Sequence, residues 1–433
     1  MLTQSIPALL ARYDPMEMRF LLLTLILCVM LGGLFPALVA RYGHSVDLGV
    51  WLLLWILLAT FWVELPLFQL LRPAAPLVAW LLFYIGWGVM AAAYPIFDEG
   101  YRLAFRFLSI VAATAVVTSR PGRLRVFADA VQWVLVANLA VAVLLTVRPE
   151  YRSLAIFETL DLDPGADRFA GIWGNANLAG LVALMVLVLS RWASRWQAWI
   201  GRISGLLIIY LTASRTATWI LVALALHYLG FAATRRVRRN VVALALVLAI
   251  AAFFAFKSSG SDLEAMLANN PTVARVLDVQ EARTEEAGGG SRRDVFLDWL
   301  RMVPSEPWHG YGLYTLFGAE GSEAVPRPGF PAIGPHNLYL GIFLDVGGVG
   351  LAAFLAVLLY QLRAIRRLPL IPSARQAIFA FCLLLLVFSN FNHNMLTGYA
   401  GWMAFSLMFL LPASPALAGQ RVRAGGAFAE GRR

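Results

Sequence analysis

The sequence predicts an all-α protein that crosses a membrane many times. Three observations predict it: 60% of the 433 residues are hydrophobic and 14% charged, the apolar residues gather in long runs, and arginines cluster in the gaps between them. Soluble domains carry about 25% charged residues, so this chain has too few to cover a water-facing surface of its size. In hydrocarbon the backbone must satisfy its own hydrogen bonds, which runs of this kind do as helices. The net charge of +10 does not point to nucleic acid, because the arginines lie in short clusters between apolar runs and no nucleic-acid motif accompanies them. Cys28 and Cys382 both fall inside apolar runs, where cysteine packs as a small hydrophobe.

Hydropathy predicts about twelve spans, near the roughly 20 residues a bilayer requires. They cover 20–40, 48–71, 74–97, 103–119, 126–147, 177–190, 198–213, 216–234, 241–256, 337–362, 374–390 and 399–411. The first run is long enough to span and lacks a small-residue cleavage site, so no cleavable signal is expected. With the N-terminus inside, the inner loops hold Arg72, then Arg120, Arg123 and Arg125, then Arg191, Arg195 and Arg202. Arg235 to Arg239, Arg363 to Arg375 and the arginines of the tail continue the series, while the opposite loops are acidic or poor in arginine. That alternation predicts an even number of spans with both termini cytoplasmic.

Two connections are long, and both fall outside. The first, 148–174, carries Glu158, Asp161, Asp163 and Asp167 before Arg168. The second, 257–335, is the one sizeable polar piece, and loops of that length are usually functional or disordered. It contains a flexible joint at 285–290 and an amphipathic helix over 292–303, with Val295, Phe296, Trp299, Leu300 and Val303 along one side, expected to lie on the membrane surface. The organisation is thus nine spans in 1–256, a large periplasmic loop carrying short helices in 257–335, three spans in 336–414, and a disordered tail in 415–433.

Chemistry is predicted where polar clusters meet span boundaries on the outer side. Gly334-Pro335-His336-Asn337 runs into the tenth span, and Pro335 suits the first turn of a helix, placing His336 within that turn. The partial positive charge of a helix start favours a neutral imidazole, the form that accepts a proton, and attracts phosphate. A lone histidine at such a place more often caps the span; further clusters on the same predicted face shift the balance. Arg168 to Asn177 leads into the sixth span with glycines for tight turns, and Asn175 and Asn177 are suited to capping a helix or bonding a sugar hydroxyl. Thr212 to Thr216 sets Arg215 in a very short outer turn, where a charge needs a partner or a wet cavity. Arg292, with Arg293 beside it, opens the amphipathic helix, and Asn390 to Asn394 places His393 in an outward knot.

Together these residues resemble the bacterial O-antigen ligase, O-antigen polymerase and O-oligosaccharyltransferase superfamily. Arg168 to Gly180 is similar to its R-x-x-G-x-x-x-N-P-N pattern, with Ala176 where proline is usual. Thr212 to Ala217 is similar to S-R-T/G, and Arg292 to Gly312 to an arginine-led helix followed by P-x-x-G-x-G, with Phe296 where tryptophan is usual. His336 to Gly350 is similar to H-N-x-x-L with trailing glycines. The resemblance implies a GT-C-like enzyme of the bacterial inner membrane that transfers a preassembled glycan from undecaprenyl diphosphate on the periplasmic face. For the ligase the acceptor is a sugar of the lipid A core. It implies His336 as base, Arg168, Arg215 and Arg292 on the diphosphate, Asn175, Asn177, Asn337 and His393 as secondary contacts, and neither metal nor other cofactor.

Rival readings are a polymerase or protein O-oligosaccharyltransferase of the same superfamily, a metal-dependent transferase using Asp161 and Asp163, and a transporter of lipid-linked glycan. A transporter should carry ionisable residues deep within several spans, for which Arg106, Asp129 and Asp345 are the candidates.

Overall fold

The computed structural model describes residues 14–91, 98–148, 171–173, 175–212, 214–231, 239–240, 292–312, 337–367, 372–389, 399–414 and 417. The predicted ninth span, the joint at 285–290, most of both long loops and most of the tail lie outside the described residues, as do Arg168, His336 and His393. Among the described residues there are helices and no strands.

The helices are α1 (Pro15–Leu31), α2 (Leu34–Tyr42), α3 (His44–Glu64), α4 (Leu67–Leu71), α5 (Ala75–Ala91), α6 (Asp98–Thr118) and α7 (Pro121–Val147). They continue with α8 (Ala176–Leu189), α9 (Arg195–Thr212), α10 (Arg215–Phe231), α11 (Arg292–Met302), α12 (Leu338–Arg367), α13 (Pro372–Ser389) and α14 (Tyr399–Leu410). Four stretches combine the length and apolarity to cross a membrane: Ser45–Val63, Leu67–Gly88, Pro121–Val141 and Leu338–Arg367. Shorter apolar helices, including Ala176–Leu189 and Tyr399–Leu410, pack among them.

Three predicted spans are interrupted. The first breaks at Gly32 and Gly33 between α1 and α2, where Gly33 takes a left-handed φ of 80°. The second stops at Glu64, because Pro66 has no N–H to continue the helix, and α4 leads on into α5. The tenth is bent inside α12 at Gly347, whose φ of 68° is open to glycine and strained for other residues.

The core runs through α8 and α14. Nearly every residue of α8 and every residue from Ala400 to Leu410 is buried, so these two are apolar all round, as central helices must be. They touch each other and are surrounded by α1, α6, α7, α9, α10 and α13. Cys28 is half-buried and Cys382 buried, both as free thiols in the packing.

Side-chain contacts fix which helix ends lie together. Arg123, at the start of α7, sits 5.4 Å from the Phe20 ring of α1 and 5.3 Å from the Phe61 ring near the end of α3. Ser414, just past α14, donates to the Thr118 carbonyl at the end of α6 (2.5 Å). At the other end, Phe35 of α2 meets Tyr399 at the start of α14, with ring centroids 5.5 Å apart. His227 stacks on Phe379 at 5.0 Å, which makes α10 and α13 antiparallel, and the Tyr339 hydroxyl donates to the Leu386 carbonyl (3.3 Å). The starts of α10 and α12 and the end of α13 therefore share one end of the bundle.

Candidate active site

That shared end carries every described member of the predicted site. The path to it begins at the break after α1, which frees the last carbonyls of that helix. The Trp173 indole N–H donates to Leu31 (2.6 Å), and the Asn138 amide of α7 donates to Gly32 (3.2 Å). Asn138 in turn accepts from the Ile172 N–H (3.0 Å). A 3-10 turn, Gly171–Trp173, is thereby pressed against Gly33, so close that a Cβ there would stand 2.8 Å from the Ile172 carbonyl oxygen.

Asn175 then caps α8, its Oδ1 accepting from the N–H of Asn177 (2.9 Å) and of Leu178 (3.2 Å). Its oxygen is thus committed to the helix start. Asn177, in the first turn, accepts from the Ser214 hydroxyl (3.0 Å). Ser214 stands just before α10, its Oγ accepting from the Ala217 N–H (3.4 Å). Gly180 makes the approach feasible, since a Cβ on it would lie 2.8 Å from Cβ of Ala217. Two helix starts are therefore tied together, with Arg215, half-buried, as the first residue of one of them. The partial positive charge of both starts and a guanidinium favour an anion at this place.

The motif from Arg292 to Gly312 and the one that continues into α12 meet as well. Residues 307–312 lie against the bend in α12: Tyr311 N–H donates to Leu344 (2.7 Å), Gly312 N–H to Asp345 (2.9 Å), and Gly348 N–H to Pro307 (2.9 Å). Gly310 and Gly312 take φ of 73° and 93°. A Cβ on Gly347 would collide with the Trp308 carbonyl, and one on Gly310 would stand 2.6 Å from the Asp345 carbonyl carbon. The Tyr311 hydroxyl donates to Met302 at the end of α11 (2.7 Å). Trp299 of α11 is buried against Leu340 and Leu344 of α12.

One expectation is corrected here. The amphipathic helix does not simply rest its apolar side on a membrane surface, because Trp299 is covered by α12, although Leu300 stays exposed. The expected helix start at Pro335 and His336 lies outside the described residues; α12 is described from Leu338, and Asn337 precedes it, its Oδ1 accepting from the Leu340 N–H (3.0 Å) and its carbonyl from the Gly341 N–H (2.9 Å). An asparagine side chain that accepts the third N–H of the helix is a better start than proline alone, which satisfies no donor. Arg292 is the first residue of α11.

Sequence reasoning missed several residues that shape this end. Asn138 and Tyr84 are polar side chains inside apolar stretches, the signal by which each could have been found, while Ser214 belongs to the Thr212–Thr216 cluster, where only Arg215 was singled out. Tyr84 of α5 donates its hydroxyl to the buried Asp345 carboxylate (2.5 Å). Arg106 of α6 pairs with Asp47 of α3, whose other oxygen accepts from the Trp51 indole (2.9 Å), and the guanidinium lies 5.6 Å from the Trp51 ring. Asp129 accepts from the Ser194 N–H (2.5 Å). The three ionisable groups considered for a transport pathway thus each join a different pair of structural elements.

A family model described as O-antigen ligase matches residues 200–355 of this chain. That match supports the resemblance drawn from the motifs. It takes in Arg215, Arg292, 307–312, His336 and the bend at Gly347, and leaves Arg168, Asn175, Asn177 and His393 outside. Neither the curated proteins nor the solved structures gave a match.

Proposed function

We propose that this chain, which carries the O-antigen ligase segment over 200–355, is a membrane glycosyltransferase acting as an O-antigen ligase. It moves a preassembled glycan from undecaprenyl diphosphate to a sugar of the lipid A core, on the periplasmic face of the inner membrane. One observation supports this reading: the Ser214–Asn177 hydrogen bond joins the starts of α8 and α10, with Arg215 as the first residue of α10, a juxtaposition that suits an anion such as a diphosphate. The junction of 307–312 with α12 adds to it, since it fixes α11, opened by Arg292, against the helix that follows His336.

In this reading His336 abstracts the proton of the acceptor hydroxyl as that oxygen attacks the anomeric carbon, and the bond to the diphosphate oxygen breaks on the opposite face. The product is inverted in a single displacement. Arg168, Arg215 and Arg292 neutralise the charge that develops on the leaving diphosphate; guanidinium does this at any physiological pH and can bond two oxygens at once. Asn177, Asn337 and His393 stand as contacts to sugar or phosphate, with Asn175 serving them through the helix start it caps.

The test is a purified reaction in which undecaprenyl-diphosphate glycan is offered separately to lipid A core, to a second donor molecule and to an acceptor protein. Transfer to lipid A core, surviving excess EDTA and lost in His336→Ala, is the expected result. Extension of the second donor or glycosylation of the protein would replace the ligase by its polymerase or protein-modifying relatives. Full transfer by His336→Ala would remove the proposed base.

A further inference from the structure

The turn between α8 and α9 lies at the opposite end of α9 from Ser214, and it gathers charge of one sign. Arg191, Arg195 and Arg202 are exposed, and none has a carboxylate partner among the described residues. Arg202 of α9 and Tyr228 of α10 lie within electrostatic reach of Arg191. Like charges held near each other raise the energy of the fold unless an anion comes between them.

This turn is built rather than loose. Asp129 holds the Ser194 N–H, and the Ser190 hydroxyl donates to the Leu187 carbonyl (2.7 Å) while accepting from Arg202 Nε (3.1 Å). The Arg202 guanidinium lies 5.6 Å from the Trp199 ring centroid. One cation is therefore placed before any ligand arrives. An arginine merely reaching for water has no need of a serine and an indole to fix it.

From this turn an apolar face runs along α9. Trp196 (77% exposed), Trp199 (53%), Ile203, Leu206, Leu207 and Tyr210 follow helical spacing on its outer side. At 1.5 Å per residue the face extends about 21 Å, longer than the roughly 15 Å of hydrocarbon in one leaflet. Cations come first, then tryptophans, then aliphatic side chains. A phospholipid presents its phosphate, its interface and its acyl chains in that same order.

We propose that the α8–α9 turn binds an anionic phospholipid, with the headgroup phosphate between Arg191 and Arg202, Arg195 at its rim, and the acyl chains along the 196–210 face. The site lies about 27 Å, the length of α9, from Arg215, so it neither uses nor depends on the glycan-transfer reading. The apolar face identifies the occupant as a lipid, since free phosphate would have no use for it.

The experiment takes the full chain in nanodiscs or mild detergent and counts retained lipid by native mass spectrometry, with thermal unfolding measured alongside. Phosphatidylglycerol, phosphatidylcholine and inorganic phosphate are the three probes. Phosphatidylglycerol is expected to be retained and to raise the unfolding temperature, while the other two do neither. Arg191→Gln should weaken phosphatidylglycerol about 5-fold and the Arg191→Gln/Arg202→Gln pair about 30-fold, from the usual attraction per basic residue at an anionic surface. Only the backbone of Arg191 is hydrogen-bonded among the described residues, its N–H donating to Val188, so its single substitution keeps the test intact if the double variant folds poorly. Arg363→Gln, at the same end of the bundle on α12, should leave phosphatidylglycerol binding unchanged. Equal retention of both lipids, protection by phosphate alone, unchanged binding in Arg191→Gln, or an equal loss in Arg363→Gln would each overturn the proposal.

Discussion

Two loops press into broken helices in this protein, and the two junctions are made in different ways. At Gly33 the freed carbonyls of α1 are taken by side chains, the indole of Trp173 and the amide of Asn138. At Gly347 the freed groups of α12 are taken by backbone, through Tyr311, Gly312 and Pro307. A side-chain junction loses one bond at a time when its residues change. A backbone junction keeps its bonds through most substitutions and fails where a glycine gains a Cβ. The difference bears on function because the first junction leads to Arg215 and the second joins α11 to α12.

The largest expected effect is therefore at the backbone junction. Gly347→Ala would place a methyl into the Trp308 carbonyl and force a left-handed φ on alanine. Together these should cost about 4 kcal/mol or more, at the upper end of single substitutions. Thermal unfolding in detergent should show it, and glycan transfer should fall with it. Substitutions at Tyr311 that keep the backbone, such as Tyr311→Phe, should lose the hydroxyl bond to Met302, about 1 kcal/mol. If Gly347→Ala and Tyr311→Phe are equally mild, α12 is not held by the 307–312 segment.

The side-chain junction should give a middling effect. Asn138→Ala removes the donor to Gly32 and the acceptor for the buried Ile172 N–H. Leaving that donor unpaired should cost about 2 kcal/mol, with a fall in unfolding temperature and faster hydrogen exchange at Ile172. Asn138→Asp keeps the acceptor alone. It should therefore protect the Ile172 amide while leaving the Gly32 carbonyl without its partner, and separating these two readouts would show which half of the amide matters.

The contrast also explains what could be read in the sequence. Spans such as Leu338–Arg367 were legible because apolar length alone marks them, and arginine clusters mark their ends. The breaks at Gly33 and Gly347 were not. A glycine in an apolar run reads the same whether it packs a helix or bends it, and only the arrival of a distant loop decides. Of the candidate site, the positions of Arg215, Asn177 and Asn337 at helix starts at one end of the bundle were legible as residue types in order. What fixes them was hidden. Asn138 lies 34 positions from Ile172 and Tyr84 lies 261 from Asp345, and no local pattern connects residues so far apart.

Ser214 offers the finest cut, because it belongs to neither junction and yet stands between the helix that one of them leads to and Arg215. Its hydroxyl donates to Asn177 and accepts from Ala217, so Ser214→Ala loses both a helix cap and the tie between two helix starts. The stability cost should be about 1 kcal/mol, the usual worth of such a cap. Arg215 is the next residue, and a small shift of its guanidinium matters more to a developing charge than to folding. Glycan transfer should then fall by more than the loss of folded protein explains, chiefly in kcat, and Ser214→Thr should recover most of it by restoring the hydroxyl. A loss of activity that only tracks the amount of folded protein would make Ser214 a cap and nothing more, and would leave Arg215 without the support that the proposed anion site requires.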